Sequence, residues 1–279
     1  MTFPRQVPGI PPRSQYHELR TDVVYAEVHG EPLRFDHYRP LGTSGPAPAV
    51  VFVHGGAWVG GDPSQAGGNA LHFARRGIAT VSVSYRLAPG HRFPAQLDDV
   101  RHGLRWVRAH AAELGIDAER MVLLGLSAGA HLAVLAHLAG DLDELQPDLP
   151  PDLRNVSETV RAVIAHYGPY DLERRRSDMV EALLGPRVED PAWVQTASPL
   201  THAARSTAPM LLIHGTADQV VSWRESDRLH AALQSAGKSS ELLLLDGAPH
   251  AFQVDWRGEA NQRANAAMDG FLDRHLLSA

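Results

Sequence analysis

The stretch from Arg120 to Ala136 leaves this chain few ways to fold. Met121-Val122-Leu123-Leu124 is a short apolar run that meets Gly125-Leu126-Ser127-Ala128-Gly129, then passes at once into an Ala/Leu-rich run with no proline or further glycine until Gly140. That order reads as strand, tight elbow and helix. Gly125 and Gly129 lack side chains, so the strand end and the helix start can approach closely and lift the serine hydroxyl above a sheet. The helix behind it aims backbone N–H groups and the positive end of its dipole at any negative charge that develops beside Ser127. Ser127 is therefore a candidate nucleophile.

The rest of the chain repeats the strand-to-helix rhythm. Val23 to Val28 and Leu33 to Arg39 are two short strand candidates around His29-Gly30-Glu31-Pro32. Ala49 to His54 is continuously apolar, as a parallel strand buried on both faces would be. Leu71 to Arg76 predicts a helix ended by Gly77, and Ile78 to Val83 the next strand. From Pro94 the period becomes helical: Leu97, Val100, Leu104, Val107 and Ala111 make one stripe, with Arg101, Arg105 and Arg108 mostly to its sides and Gly115 at the end. Val160 to His166, Met210 to His214 and Glu241 to Leu245 are further strands. Trp223 to Gln234 and the run holding Ala264, Met268, Phe271 and Leu272 are helices, with Ser222 as a candidate cap for the first. Such alternation predicts an α/β fold with a mostly parallel sheet covered on both faces.

Pro8, Pro11 and Pro12 make residues 1–20 an irregular arm, and nothing in them resembles the apolar core of a secretory signal. Residues 21–279 read as a single domain. Proline-rich interruptions at about 141–159 and 171–208 read as cap-like insertions, the second carrying Trp193 as a packing residue.

Composition removes several classes of function. A net charge of -6 offers no basic face for nucleic acid or an anionic membrane. Without cysteine there is no disulfide, thiol chemistry or thiolate metal site. No run approaches the roughly 18 apolar residues of a membrane span, and the 16 histidines are scattered without a His-Glu-x-x-His pattern. The expectation is a cytoplasmic protein that uses no metal or cofactor.

Three loops, each just after a predicted parallel strand, carry Ser127, Asp218 and His250. Side chains at the C-terminal ends of parallel strands converge even when far apart in sequence, so these three are candidates for one catalytic triad. In such a triad the serine attacks a carbonyl, the histidine takes and returns its proton, and the aspartate holds the imidazole's tautomer. The oxygen that becomes negative needs donors on its other side. Gly56 and Ala57, small enough to turn their N–H groups inward after the strand at Ala49 to His54, and Ala128 in the elbow are the candidates. Gly55, Trp58, Tyr170 and Phe252 are the candidate substrate contacts, Trp58 serving equally well as packing. His54 reads as an anchor for its loop.

Six motifs carry a family resemblance: His54-Gly55-Gly56-Ala57-Trp58, Ser84-Tyr85-Arg86-Leu87-Ala88-Pro89, Phe93-Pro94-Ala95-Gln96-Leu97-Asp98-Asp99, Gly125-Leu126-Ser127-Ala128-Gly129, His214-Gly215-Thr216-Ala217-Asp218 and His250-Ala251-Phe252. From about residue 24 to the C-terminus the chain resembles the α/β-hydrolase superfamily, in the group of hormone-sensitive-lipase-like carboxylesterases and kynurenine-formamidase-like enzymes. The resemblance implies an eight-stranded α/β-hydrolase sheet with a small cap. It also implies a metal-free, cofactor-free hydrolase that forms an acyl-enzyme at Ser127, with Asp218 and His250 at the other triad positions. Ala57 stands where many relatives have a third glycine, Leu126 where the lipase-like branch often has an acid, and Ala130 where glycine is common.

The expected activity is hydrolysis of small to medium carboxylic esters as small-molecule acyl substrates. Arylformamide hydrolysis and a thioesterase or lactone-forming tailoring reaction are the enzyme alternatives, and a noncatalytic ligand-binding protein is the alternative of another class. The sheet edge or the last helix is a candidate homodimer contact.

Overall fold

The computed structural model describes residues 17–140, 142–174 and 177–278. Its strands are β1 (His17–Val28), β2 (Glu31–Pro40), β3 (Ala47–Val53), β4 (Ala79–Val83), β5 (Ile116–Leu126), β6 (Ala162–His166), β7 (Met210–Gly215) and β8 (Ser240–Leu245). They make one sheet in the order β1-β2-β4-β3-β5-β6-β7-β8. The β1-β2 and β2-β4 pairings are antiparallel, and every pairing from β4 to β8 is parallel. The helices are α1 (Gly67–Ala74), α2 (Ala95–Ala109), α3 (Ala111–Leu114), α4 (Ala128–Leu138), α5 (Asp178–Leu184), α6 (Pro191–Thr196), α7 (Arg224–Ser235) and α8 (Glu259–Leu272).

The continuous apolar runs are explained by burial on both faces. In β3, Val51 and Val53 join the cluster that contains Val100, Leu104 and Val107 of α2 and Leu132 and Leu135 of α4. The alternate residues Val50 and Phe52 join the opposite cluster, with Phe73 of α1 and Met268 and Phe271 of α8. Chain order reverses about β3, which lies between β4 and β5. Such a reversal opens a crevice at the C-terminal ends of the strands, because the connections on its two sides leave over opposite faces. The loop after β3 and the elbow after β5 both open there.

Two expectations need correction. The arm expected at 1–20 ends earlier, since His17 to Arg20 already pair with β2; residues 1–16 lie outside the described residues. Arg101, expected beside the apolar stripe of α2, is fully buried. Its guanidinium meets the Glu158 carboxylate at 2.7 and 2.9 Å and the Gly140 carbonyl at 3.1 Å, and Arg105 reaches Glu158 at 3.1 Å. A buried cation is tolerated only when paired and hydrogen-bonded, and Glu158 does this while fastening the insertion at 142–159 to α2.

The segment 171–208 holds α5, α6 and two short 3-10 turns. Trp193 is buried within it, edge-on to Phe93 at 5.3 Å and under the Arg187 guanidinium at 3.5 Å, as a packing residue. Among the described residues no helix is long and apolar enough to cross a membrane.

Candidate active site

Ser127 occupies φ 53, ψ -118 at the junction of β5 and α4. A non-glycine residue holds positive φ only where its surroundings compel it, and here they do. A Cβ on Gly125 would stand 2.1 Å from the Gly129 carbonyl oxygen, and one on Gly129 would stand 2.2 Å from that of Val53. The elbow and the end of β3 therefore touch backbone to backbone. The Ser127 N–H donates to the His166 carbonyl at 2.9 Å, which ties the turn to the end of β6. Gly129→Ala is expected to push these strands apart, destabilising the fold by about 1–3 kcal/mol and reducing turnover. Thermal unfolding and an ester assay check this, and a variant with unchanged midpoint and rate contradicts the packing account.

Asp218 lies in the turn after β7 and His250 in the loop after β8. The two loops meet closely because position 215 is glycine: a Cβ there would lie 2.2 Å from the Ala248 carbonyl oxygen. Ala217 N–H donates to that carbonyl at 3.0 Å, and Thr216 N–H to the Leu245 carbonyl at 2.9 Å. Across this contact His250 Nδ1 is 2.6 Å from Asp218 Oδ2, while His250 Nε2 is 3.1 Å from Ser127 Oγ. A carboxylate only accepts, so Nδ1 carries the proton and Nε2 is left to accept from the serine.

The aspartate is fully engaged. Its Oδ1 accepts from the N–H groups of Val220 and Val221, each at 2.8 Å. Its Oδ2 also faces His214 Nε2 at 3.2 Å. His214 Nε2 lies 2.9 Å from the Val221 carbonyl, an acceptor, so this nitrogen holds the hydrogen, and Nδ1 accepts from Ser226 Oγ at 2.8 Å. Burial by itself would raise the Asp218 carboxyl, but hydrogen bonds from His214, His250 and the Val221 N–H outweigh it and hold the group well below the usual carboxylate range.

The loop after β3 sits against the elbow. Gly55 N–H donates to Gln65 Oε1 at 3.0 Å, whereas among the described residues the N–H groups of Gly56 and Ala57 donate to no acceptor. His54 anchors the loop: its Nδ1 donates to the Gly55 carbonyl at 2.8 Å, and its ring stacks on Tyr85 at 4.1 Å. Ala128 is the first residue of α4, where the backbone N–H has no partner within the helix.

The expected substrate contacts are placed differently. Trp58 is buried and donates Nε1–H to His131 Nδ1 at 3.3 Å, so it packs the loop instead of walling a pocket. Tyr170 is fully buried in the cluster with Val134, Leu212 and Leu229. Phe252 is buried against His166, at 5.6 Å, and Tyr167, at 5.4 Å. The Gly55 N–H is already taken by Gln65. The three rings are packing residues, because aromatic surface next to a loop is still driven into the core, and the Gly55 amide is spent within its own loop. The motif residues Arg86 and Asp99 are likewise structural, a buried pair joined at 2.8 Å that fixes the loop after β4 to α2.

Burial keeps several other histidines of the fold neutral. His54 and His131 are pushed down to about 4, as are His37 and His137, and His166 falls to about 3. An unfolded histidine titrates near ~6.5, so from there down to about 4 the unfolded chain binds more protons than the folded one. The stability these residues carry is fully present above about 6.5 and is lost as pH falls toward 4. Thermal midpoints measured across that window are expected to drop steeply, and a flat profile contradicts neutral burial.

With this geometry in hand, comparison with known proteins is decisive for the family. The BD-FAE family profile matches residues 35–233. The chain belongs to the BD-FAE family. This BD-FAE chain is 34% identical over 253 residues to esterase LipC of Mycobacterium tuberculosis, the match covering 87% of the chain and 62% of LipC. It therefore spans less than two thirds of that relative's length. Among solved structures it is similar to the propionate-bound esterase Est2 of Thermogutta terrifontis, with TM-score 0.78 and 29% identity over 95% of this chain and 96% of that one. The Thermogutta terrifontis esterase 2 structure phosphoramylated by tabun matches with TM-score 0.78 and 30% identity, covering 95% of this chain and 96% of that chain. The fold of this BD-FAE member is that of the α/β-hydrolases, as its motifs predict.

Proposed function

We infer that this protein is a serine carboxylic-ester hydrolase acting through an acyl-enzyme. The observation that carries the reading is the continuous chain from Ser127 Oγ through His250 to Asp218, with contacts of 3.1 and 2.6 Å, on a strained elbow. Ser127 Oγ attacks the ester carbonyl while its proton passes to His250 Nε2. Asp218 steadies the imidazolium without taking the proton. The carbonyl oxygen, now negative, is held by the N–H groups of Gly56, Ala57 and Ala128. His250 returns the proton to the departing alkoxide, and water repeats the sequence on the acyl-enzyme to release the acid.

A short acyl chain is the proposed substrate class. The propionate held by the Thermogutta esterase supports that choice, as does a loop whose Ala57 methyl narrows the space beside the donors. The test is a series of p-nitrophenyl esters of rising acyl length, assayed beside an N-formyl aromatic amine and an acyl thioester. The expected result is turnover highest on acetyl to butyryl esters. Faster turnover of the formyl amide assigns the protein to arylformamide hydrolysis and overturns the ester reading.

A further inference from the structure

Tyr167 is a residue to which the proton relay above gives no part, yet it and the residue before it touch the elements that carry Ser127, Asp218 and His250. It follows β6 at φ 41, a left-handed conformation that a bulky side chain keeps only when its surroundings hold it there. Its N–H donates to the Ile213 carbonyl of β7 at 2.8 Å, on the strand that leads to Asp218. The carbonyl of the preceding residue, His166, accepts from the Ser127 N–H at 2.9 Å. The Tyr167 ring, fully buried, meets the His250 imidazole at 4.6 Å between centroids with the planes 60° apart. Its hydroxyl donates to Gln253 Oε1 at 2.5 Å, three residues beyond His250. Burial raises the phenol well above its ordinary value, so it stays a donor across the range in which the protein is folded.

We propose that Tyr167 is a positioning residue for the base: its ring sets the plane of the His250 imidazole, and its hydroxyl pins the 250–254 loop through Gln253. The physical need is clear. An imidazole with a hydrogen-bond partner on only two atoms can rotate about the line joining them, and a ring packed edge-to-face against it removes that freedom. Without it Nε2 still reaches the serine, but in the productive plane only part of the time. Misplacement of a reacting group by about 1 Å is enough to cost ~100-fold in rate.

This proposal rests on the hydrolase reading, and the experiment separates the two. Tyr167→Leu removes the ring, Tyr167→Phe keeps the ring and removes the hydroxyl, and Gln253→Leu removes the hydroxyl's acceptor. Each variant, and the Tyr167→Phe/Gln253→Leu double variant, is assayed with p-nitrophenyl butyrate. The proton on His250 Nδ1 is followed by NMR, where an imidazole held against a carboxylate gives a sharp far-downfield signal. The expected result is that Tyr167→Leu lowers kcat by about 100-fold with KM within about threefold, and broadens that signal by exchange. Tyr167→Phe restores the sharp signal and all but about tenfold of kcat. Gln253→Leu matches the Phe variant, and the double variant is no worse than either, since both break one bond.

A folded Tyr167→Leu protein with wild-type kcat and a sharp signal overturns the proposal. So does multiplication of the two single losses in the double variant, a result obtainable even if the Leu variant does not fold. Failure of the hydrolase reading looks different. In that case the wild type itself turns over no ester, while the imidazole signal still reports whether Tyr167 holds His250.

Discussion

Replacing Ser127 with alanine is expected to lower kcat/KM for a short-chain p-nitrophenyl ester by about a million-fold, which is ~8 kcal/mol of transition-state stabilisation. In the proposed mechanism the loss is this large because the triad acts as a unit: without Oγ there is nothing for His250 to deprotonate, and only binding and the proposed donors around the oxyanion remain. The fold is expected to survive. The Ser127 N–H bond to the His166 carbonyl and the Ser127 carbonyl bonds from Ala130 and His131 are all backbone, so alanine keeps them. The measurement pairs steady-state rates with a thermal midpoint. A folded Ser127→Ala protein that keeps wild-type turnover contradicts the mechanism, whereas a joint loss of midpoint and rate indicates a collapsed elbow.

Asp218→Asn is expected to cost about ten-thousand-fold in kcat with little change in KM. The asparagine carbonyl can replace Oδ1 as acceptor for the Val220 and Val221 N–H groups, which keeps the turn. Its NH2 then faces His250 Nδ1, forcing the imidazole proton onto Nε2, where it blocks acceptance from Ser127. The hydrogen bond from His214 is lost as well, because two donors now confront each other. In the wild type the depressed Asp218 carboxyl contributes stability that is present above the unfolded value of about 3.9 and lost only as pH falls through the lower folded value. The wild-type midpoint should therefore exceed that of the Asn variant at neutral pH and converge on it in strong acid. A variant with near-wild-type kcat shows that Asp218 does not set the tautomer.

The juxtaposition of Ser127, Asp218 and His250 was legible because it depends on the coarsest feature of the sequence. Each residue follows an apolar run, and ends of parallel strands converge whatever the loops do. Loop position says less about which way a side chain points. Trp58 and Phe252 lie beside site residues in sequence and Tyr170 follows the end of β6, yet each ring turns into the core, since burying an aromatic surface outweighs any advantage of facing an open crevice. The parts played by Tyr167 and by the motif residue His214 are hidden for the opposite reason: a buried aromatic and a strand-end histidine are ordinary in sequence, and only the folded distances to His250 and Asp218 distinguish them. The start of β1 was hidden because His17-Glu18-Leu19-Arg20 is mostly polar. It pairs with β2 through backbone bonds at the rim of the sheet, where one strand face meets solvent.

The claim on which everything else depends is that Ser127 is the nucleophile. Incubation of the wild-type protein with a p-nitrophenyl alkylphosphonate, followed by peptide mass spectrometry and an ester assay on the same sample, tests it directly. The account predicts one phosphonyl group on the peptide containing Ser127, appearing at the rate at which ester turnover disappears, and none on the Ser127→Ala variant. Modification at another residue, or an unmodified Ser127 in a protein that has lost its esterase activity to the reagent, would contradict it.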